Sequence, residues 1–358
     1  MTDFVANGKV VVICDGQFGS TGKGLLAAYL AQHNEVDLAT TNASANAGHT
    51  TCYANGTKFI TFHLPTIGVV QGCQIYLNAG AIIDPEVLWR EIKELGVQPS
   101  KVAIHPMAAV IMSDHKRAEG DDTSAQTRIG STRKGVGEAM SDKVRRSGLV
   151  ARDHPSLKEL VRYIDVGAQL QSNRAVSLEI PQGFSLSINS SGFYPYCTSR
   201  DCTVAQGISD LGVHPSYLGK TAMAVRTFPI RVGNIFDEEG NQIGTSGPCY
   251  SDQTELTWGD IGVKPEVTTV TKRERRIFTW SRKQYLAALR ANRPDIVFLN
   301  FVNYLKSRED LEDLTANMDK DDRTAKIHPE YLYGMGPNVE DVSDDYSVVD
   351  AFLKNKED

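Results

Sequence analysis

Apolar residues along this chain come in short β-branched runs and in mixed segments with polar residues between them. The runs at Lys9–Cys14, Gln74–Leu77, Val102–Ile104, Ala175–Glu179 and Ile296–Phe301 read as buried strands. The segments Leu25–Ala31, Glu86–Leu95, Leu157–Ile164 and Arg282–Arg290 read as helices. Their alternation predicts an α/β fold with a mostly parallel central sheet. The first strand candidate feeds into a glycine-rich loop and then a helix, the phosphate-binding opening of many α/β folds. No repeat, low-complexity tract or long Gly/Ser/Pro linker breaks the pattern. Residues 1–346 are therefore expected to form a single domain with long functional loops, although the length would also accommodate two ordinary domains. Residues 347–358 read as a charged C-terminal tail prone to fraying.

Composition narrows the function classes. A chain of 358 residues can bury a sizeable core, and its balance of apolar and charged residues is that of a soluble globular protein. The net charge of −6 argues against a nucleic-acid partner, while a local basic pocket for small anions remains compatible with it. The six cysteines are Cys14, Cys52, Cys73, Cys197, Cys202 and Cys249. None forms a Cys-x-x-Cys pair or has histidines at zinc spacing, so they read as reduced thiols of a cytoplasmic protein. No signal peptide and no run of ~20 apolar residues is present, so no membrane association is expected.

The candidate chemistry starts in the loop. Glycines at 16, 19, 22 and 24 let backbone N–H groups approach phosphate oxygens, and Lys23 adds a point charge for the β/γ-phosphates. The spacing is not that of a regular P-loop: five residues separate Gly16 from Gly22, and Gly24 rather than Ser or Thr follows the lysine. Alone, the loop is also compatible with an ordinary turn. About one strand–helix–strand later comes Asn46-Ala47-Gly48-His49-Thr50, where a histidine in a polar, small-residue stretch suits a phosphate-facing acid or electrostatic stabiliser.

Together these segments resemble the adenylosuccinate synthetase family. Gln17-Phe18-Gly19-Ser20-Thr21-Gly22-Lys23-Gly24 is similar to the family's Gln-aromatic-Gly-Asp-Glu-Gly-Lys-Gly loop, and Asn46–Thr50 to its Asn-Ala-Gly-His-Thr element. Further resemblances follow in the same order: Leu77–Gly80, Ile129–Gly137, Asp142–Arg146, Gln182-Gly183, Tyr194–Ser199 and Val270–Arg276. They cover roughly residues 9 to 341. The resemblance implies an adenylosuccinate synthetase-like fold with a P-loop-like phosphate site. It also implies a ligase that moves the γ-phosphoryl of a nucleotide to O6 of a purine monophosphate, after which the aspartate amine displaces phosphate at C6. Magnesium would be the cofactor, with the residue-20 side chain and the Gly48 carbonyl at the metal.

The resemblance assigns the remaining residues as follows. Ser20, Lys23 and His49 would be catalytic. The phosphoryl-donor nucleotide would meet Gly19, Thr21, Gly22, Lys23, Gly24, Gly48, His49, Thr50, Asn300, Asn303, Gly336 and Pro337. The purine monophosphate would meet Ser20, Asn46, Ser131, Thr132, Arg146, Gln182, Thr198 and Arg273. Thr271 and Arg275 would hold the aspartate carboxylates, a task suited to a planar guanidinium. Arg146 resembles an arginine lent to a neighbouring subunit, which implies a homodimer; the family's paired arginines fall on Arg146 and Ser147. The blander readings are that the 272–276 charge run is a solvated face and that Thr198 caps a turn.

Two departures matter. Ser20 and Thr21 stand where the family carries Asp and Glu. A serine hydroxyl is a poor general base and a weak metal ligand. This variant resembles the phage-encoded branch, which takes dGMP rather than IMP and makes the succino precursor of 2-aminoadenine nucleotides. The group that takes the N1 proton stays open. Second, Asn300-Phe301-Val302-Asn303 occupies the place of a guanine-reading Thr-Lys-x-Asp element. Asn303 offers both a donor and an acceptor and is compatible with adenine, which argues for ATP or dATP as phosphoryl donor. Phe301 is either core packing or a base-stacking ring. The expected substrates are therefore dGMP, L-aspartate and ATP or dATP. Competing readings are an IMP- and GTP-using adenylosuccinate synthetase, a switch or kinase with a degenerate P-loop, and a catalytically inactive nucleotide-binding homologue.

Overall fold

The computed structural model describes residues 4–120, 125–268 and 273–357. Nine strands form one sheet: β1 Val10–Asp15, β2 Leu38–Thr41, β3 Gln74–Leu77, β4 Val102–Ile104, β5 Val176–Glu179, β6 Leu218–Arg226, β7 Ile296–Asn300, β8 Glu330–Gly334 and β9 Val342–Ser343. Their spatial order is β9-β8-β7-β6-β1-β5-β2-β3-β4. Every pairing is parallel except β8 with β9. The α/β prediction and the mostly parallel sheet are borne out.

β1 lies in the middle and is buried on both faces, which is why it reads as an unbroken apolar run. Val10, Val12 and Cys14 face one layer, which contains Tyr285, Ala288 and Leu289 of the helix Arg282–Asn292. Val11 and Ile13 face the other, where the helix α1, Lys23–His33, packs Leu25 through Ala31. Both layers thus pack on one strand, and the loop leaves its carboxyl end between them.

Two expectations are corrected. Leu157–Ile164 is not an α-helix. Pro155–Leu157 is a single 3₁₀ turn, after which the chain extends and Val161 bridges Ile104. Ile104 N–H donates to the Leu160 carbonyl and Ile104 O accepts from Arg162 N–H. The edge strand β4 has backbone groups to satisfy, and this need overrides the helical spacing of Leu157, Leu160, Val161 and Ile164. The frayed tail expected at 347–358 is instead the helix α2, Tyr346–Glu357. Val349 and Leu353, one helical turn apart, are fully buried in the main core. The charges that suggested a tail lie on its outer face, where Lys354 pairs with Asp350 at 2.7 Å. Among the described residues no helix is long and apolar enough to cross a membrane.

Candidate active site

The glycine loop is built around Asp15, the last residue of β1. Its buried carboxylate accepts from Gln17 N–H at 2.8 Å, Gly19 N–H at 3.3 Å, the Thr21 hydroxyl at 2.5 Å and Lys23 Nζ at 3.2 Å. Lys23 also donates to the Gln182 carbonyl at 2.6 Å. One carboxylate therefore ties four alternate residues of the loop together and gives the buried lysine an ion-pair partner. Gly22 caps α1 in the left-handed region at φ 91°, and a Cβ there would lie 2.0 Å from Asn300 Nδ2. The glycine is required twice, by conformation and by space.

Ser20 is the non-glycine residue of the loop in the left-handed region, at φ 57°, a conformation that costs such a residue on the order of 1–2 kcal/mol. Two arginines hold it there. Arg275 Nη1 donates to Ser20 Oγ at 2.8 Å, and Arg226 Nη1 donates to the Ser20 carbonyl at 3.2 Å. Arg226 closes β6 and is fully buried, its guanidinium 3.8 Å above the Phe301 ring. Phe301 is thus a platform for Arg226. Burial pulls the Arg275 guanidinium down to about 10, against the opposing effect of Glu266, so it stays charged at neutral pH.

His49 opens the β-hairpin His49–Cys52/Lys58–Thr61 beside the loop. Desolvation, and then the Lys23 charge, hold its imidazole down at about 3. It is a neutral ring at pH 7, able to donate one N–H but not to act as a cation. Gln182, also left-handed at φ 66°, donates from Nε2 to Asn46 Oδ1 at 2.9 Å.

Apart from Asp15 and Arg226, these groups line two adjoining clefts of about 680 Å³ and 570 Å³. The larger gathers Gly19 to Gly24, Asn46, Gly48, His49, Thr50, Thr132, Gln182, Arg275, Asn300, Asn303, Gly336 and Pro337. The smaller gathers Asn46, Ser131, Thr132, Gln182 and Thr198. Asn46, Thr132 and Gln182 belong to both. Both clefts open at the carboxyl ends of the parallel strands, the usual ligand position in such sheets.

Not every expected residue faces a cleft. Arg273 lines neither: its Nη1 donates to the Gly233 carbonyl at 3.1 Å and its Nη2 to the Ser131 carbonyl at 3.3 Å, so it clamps one wall. Arg146 is exposed at the end of the helix Val136–Arg145 and lines neither cleft. Asn300 is buried, with Nδ2 on the Thr21 carbonyl at 3.1 Å, so it fixes the loop as well as the wall. Thr271 lies outside the described residues.

Sequence reasoning missed Asp15, Arg226, Arg231 and Glu266. Arg231 is buried between both clefts, 4.3 Å over Phe18, and donates to the Pro248 and Tyr196 carbonyls, each at 2.8 Å. Burial, with the Arg276 charge added, pulls it down to about 9. The available signal for Asp15 and Arg226 was a charge at the carboxyl end of an otherwise apolar strand.

The adenylosuccinate synthetase family pattern matches residues 12–165 and 154–332. N6-succino-2-amino-2'-deoxyadenylate synthase of Salmonella phage PMBT28 is 40% identical over 94% of this chain and 98% of its own length. Adenylosuccinate synthetase of Pyrococcus sp. (strain ST700) is 32% identical over 77% of this chain and 79% of its own. Cyanophage S-2L succinoaminodeoxyadenylate synthetase (PurZ), solved with dGMP and with dATP as an energy donor, superposes with a TM-score of 0.83 at 37% identity over 96% of this chain and 98% of that one. The Plasmodium falciparum adenylosuccinate synthetase, at 20% identity and a TM-score of 0.76, shares the fold. By pattern, sequence and superposition alike, this chain belongs to the adenylosuccinate synthetase family of C–N bond-forming ligases.

Proposed function

We propose that this protein joins L-aspartate to dGMP, with hydrolysis of ATP or dATP, to give N6-succino-2-amino-2'-deoxyadenylate. The observation that carries the proposal is Ser20: a neutral hydroxyl, held by Arg275, stands where the family resemblance places a catalytic aspartate. The similarity to the phage enzymes, and to the cyanophage enzyme solved with dGMP and dATP, supports the same assignment.

The γ-phosphoryl passes to O6 of the purine as N1 gives up its proton to water or a phosphate oxygen, and the aspartate amine then attacks C6, losing a proton as phosphate leaves. Phosphoryl transfer of this kind needs placement and charge neutralisation. The loop amides, the N-terminus of α1 and Lys23 receive the transferring group. Neutral His49 donates its N–H to the charge developing on O6. Arg275 can exchange the Ser20 hydroxyl for a carboxylate of the incoming aspartate, a stronger and bidentate partner; Thr271 would hold the other carboxylate.

Magnesium fits as an ion carried by the donor phosphates. Among the described residues no three His, Cys, Asp or Glu side chains converge as a metal cage. The Ser20 hydroxyl and Gly48 carbonyl are hard oxygen donors of the kind magnesium takes beside phosphate oxygens and water. The ion would supply charge neutralisation there. Asn303, with one donor and one acceptor, suits the adenine edge of ATP or dATP. Arg146, exposed and away from its own clefts, supports a homodimer in which each copy completes its partner's site. The enzyme would work in the cytoplasm.

The test is a substrate matrix: magnesium, aspartate, dGMP or IMP, and ATP, dATP or GTP, with phosphate release followed and the product identified by mass. Turnover with dGMP and ATP or dATP is expected. Preference for IMP with GTP would overturn the assignment, and absence of turnover with every pair would mark an inactive homologue.

A further inference from the structure

Glu266 stands between the two arginines that hold Ser20. Its Oε1 accepts from Arg226 Nη2 at 2.5 Å and from the Tyr304 hydroxyl at 2.9 Å. Its Oε2 lies 3.3 Å from Arg226 Nη1 and 3.8 Å from Arg275 Nε. Arg226 cannot follow a moving partner. Its main chain is gripped on both sides by the buried Gln17 amide, which accepts from Arg226 N–H at 3.0 Å and donates to Arg226 O at 3.1 Å. Its guanidinium is stacked on Phe301. The Nη1 that meets Glu266 also meets the Ser20 carbonyl, so one nitrogen bridges the glycine loop and the 266–276 segment.

This geometry constrains Arg275. A guanidinium is planar, so fixing one edge fixes the direction of the others. The Nε edge of Arg275 faces Glu266, while Nη1 reaches Ser20. Burial pushes the Glu266 carboxyl up, but the charge of Arg226, its hydrogen bonds, the Arg275 charge and Tyr304 outweigh it and hold the group below its ordinary value. Glu266 is therefore a permanent anion in the wall of the larger cleft, facing two cations, and it is absent from every role assigned above.

We propose that Glu266 is a positioning residue: anchored on Arg226 and Tyr304, it sets the direction of Arg275 and so joins the half of the reaction at Ser20 to the half that captures the amino acid. The inference rests on the ligase function proposed above. Without the anchor, Arg275 keeps its charge but loses its orientation. Aspartate then meets a guanidinium that must be ordered on binding, while the nucleotides, held by other residues, do not.

The experiment compares wild type with Glu266→Gln, which preserves shape but removes charge, and Tyr304→Phe, which removes one hydrogen bond. Steady-state KM values are measured for all three substrates, with whichever purine monophosphate and donor wild type turns over. Glu266→Gln is expected to raise KM for aspartate roughly tenfold and leave the KM values of both nucleotides within about twofold. Tyr304→Phe is expected to shift the aspartate KM in the same direction by about two- to threefold, and it serves alone if Glu266→Gln does not fold. An unchanged aspartate KM, or an equal rise in all three, overturns the inference. Wild type without turnover on any pair would instead sink the functional assignment. Calorimetric titration of aspartate into wild type and variants then decides the role of Glu266, equal affinities or no binding counting against it.

Discussion

Arg275 Nη1 donates to Ser20 Oγ across 2.8 Å, joining residues 255 positions apart in the chain. The bond ties the glycine loop to the residue proposed to hold the amino acid, making them one unit. It also gives the side chain at position 20 a second consequence. An aspartate there would pair with Arg275 as an ion and compete with the substrate's own carboxylate, besides placing a charge beside the purine. Ser20→Asp is therefore expected to lower kcat/KM for dGMP by about tenfold or more and to raise the IMP-to-dGMP ratio. Competition kinetics with both nucleotides measures this, and unchanged turnover and selectivity would show that residue 20 does not have the role assigned.

Asn303 lines the larger cleft beside Gly336 and Pro337. A carboxylate at this position would accept from guanine N1–H and its amino group, charge-assisted bonds worth about 1.5–3 kcal/mol each. Asn303→Asp is expected to raise the GTP-to-ATP ratio of kcat/KM by roughly tenfold. Donor competition assays read the ratio, and a ratio that stays put removes Asn303 from the base-reading site.

His49 makes a pH prediction. Its folded pKa is lowered from 6.5 to about 3, so the free enzyme holds it neutral throughout the physiological range. The profile of kcat/KM should show no ionisation of His49 between pH 5 and 8. His49→Ala is expected to lower kcat by about 10²-fold through loss of the N–H donor. An acid limb near 6.5 in wild type that vanishes in the variant would contradict the neutral ring.

Glu179 ends β5, and its Oε1 accepts from Ile67 N–H at 2.8 Å. Burial, partly offset by hydrogen bonds from Ile67 and Thr66, raises its carboxyl from 4.5 to about 7. With the folded value above the unfolded one, the folded state binds the extra proton between those pH values. Stability should therefore fall as pH rises from about 4.5 to 7, by up to a few kcal/mol at ~1.4 kcal/mol per unit, and stay low above. Glu179→Gln is expected to raise Tm by a few degrees at pH 8 relative to wild type and to change it little at pH 4.5. Thermal melts at both values decide it; a gain of equal size at both would assign the effect to packing.

Much of this was legible in the sequence because it depends on local pattern. The strand–glycine loop–helix opening announces itself through β-branched residues and glycine spacing, and the ordered motifs supplied the cleft's lining. What stayed hidden depends on pairing across the chain. Nothing near Glu266 in sequence indicates that it meets Arg226, 40 residues away, or that Arg226 meets Ser20, 206 residues away. Leu157–Ile164 shows the same limit in the fold: its spacing is helical, yet an edge strand remote in sequence claimed its backbone. Arg273, a basic residue in the expected motif, donates to the carbonyls of Gly233 and Ser131. The family resemblance proposes a ligand contact for Arg273, and these carbonyl contacts, made 40 and 142 residues away, are not legible in its motif.

The helix at the end of the chain reaches further than its own packing. Lys356 Nζ donates to the carbonyls of Asn303 at 2.8 Å and Leu305 at 2.6 Å. The turn that carries Asn303, proposed above to read the donor base, is thus buttressed from behind by the last turn of that helix. If Asn303 reads the donor base, removing the Lys356 ammonium would loosen the choice of phosphoryl donor without touching a single residue of the cleft.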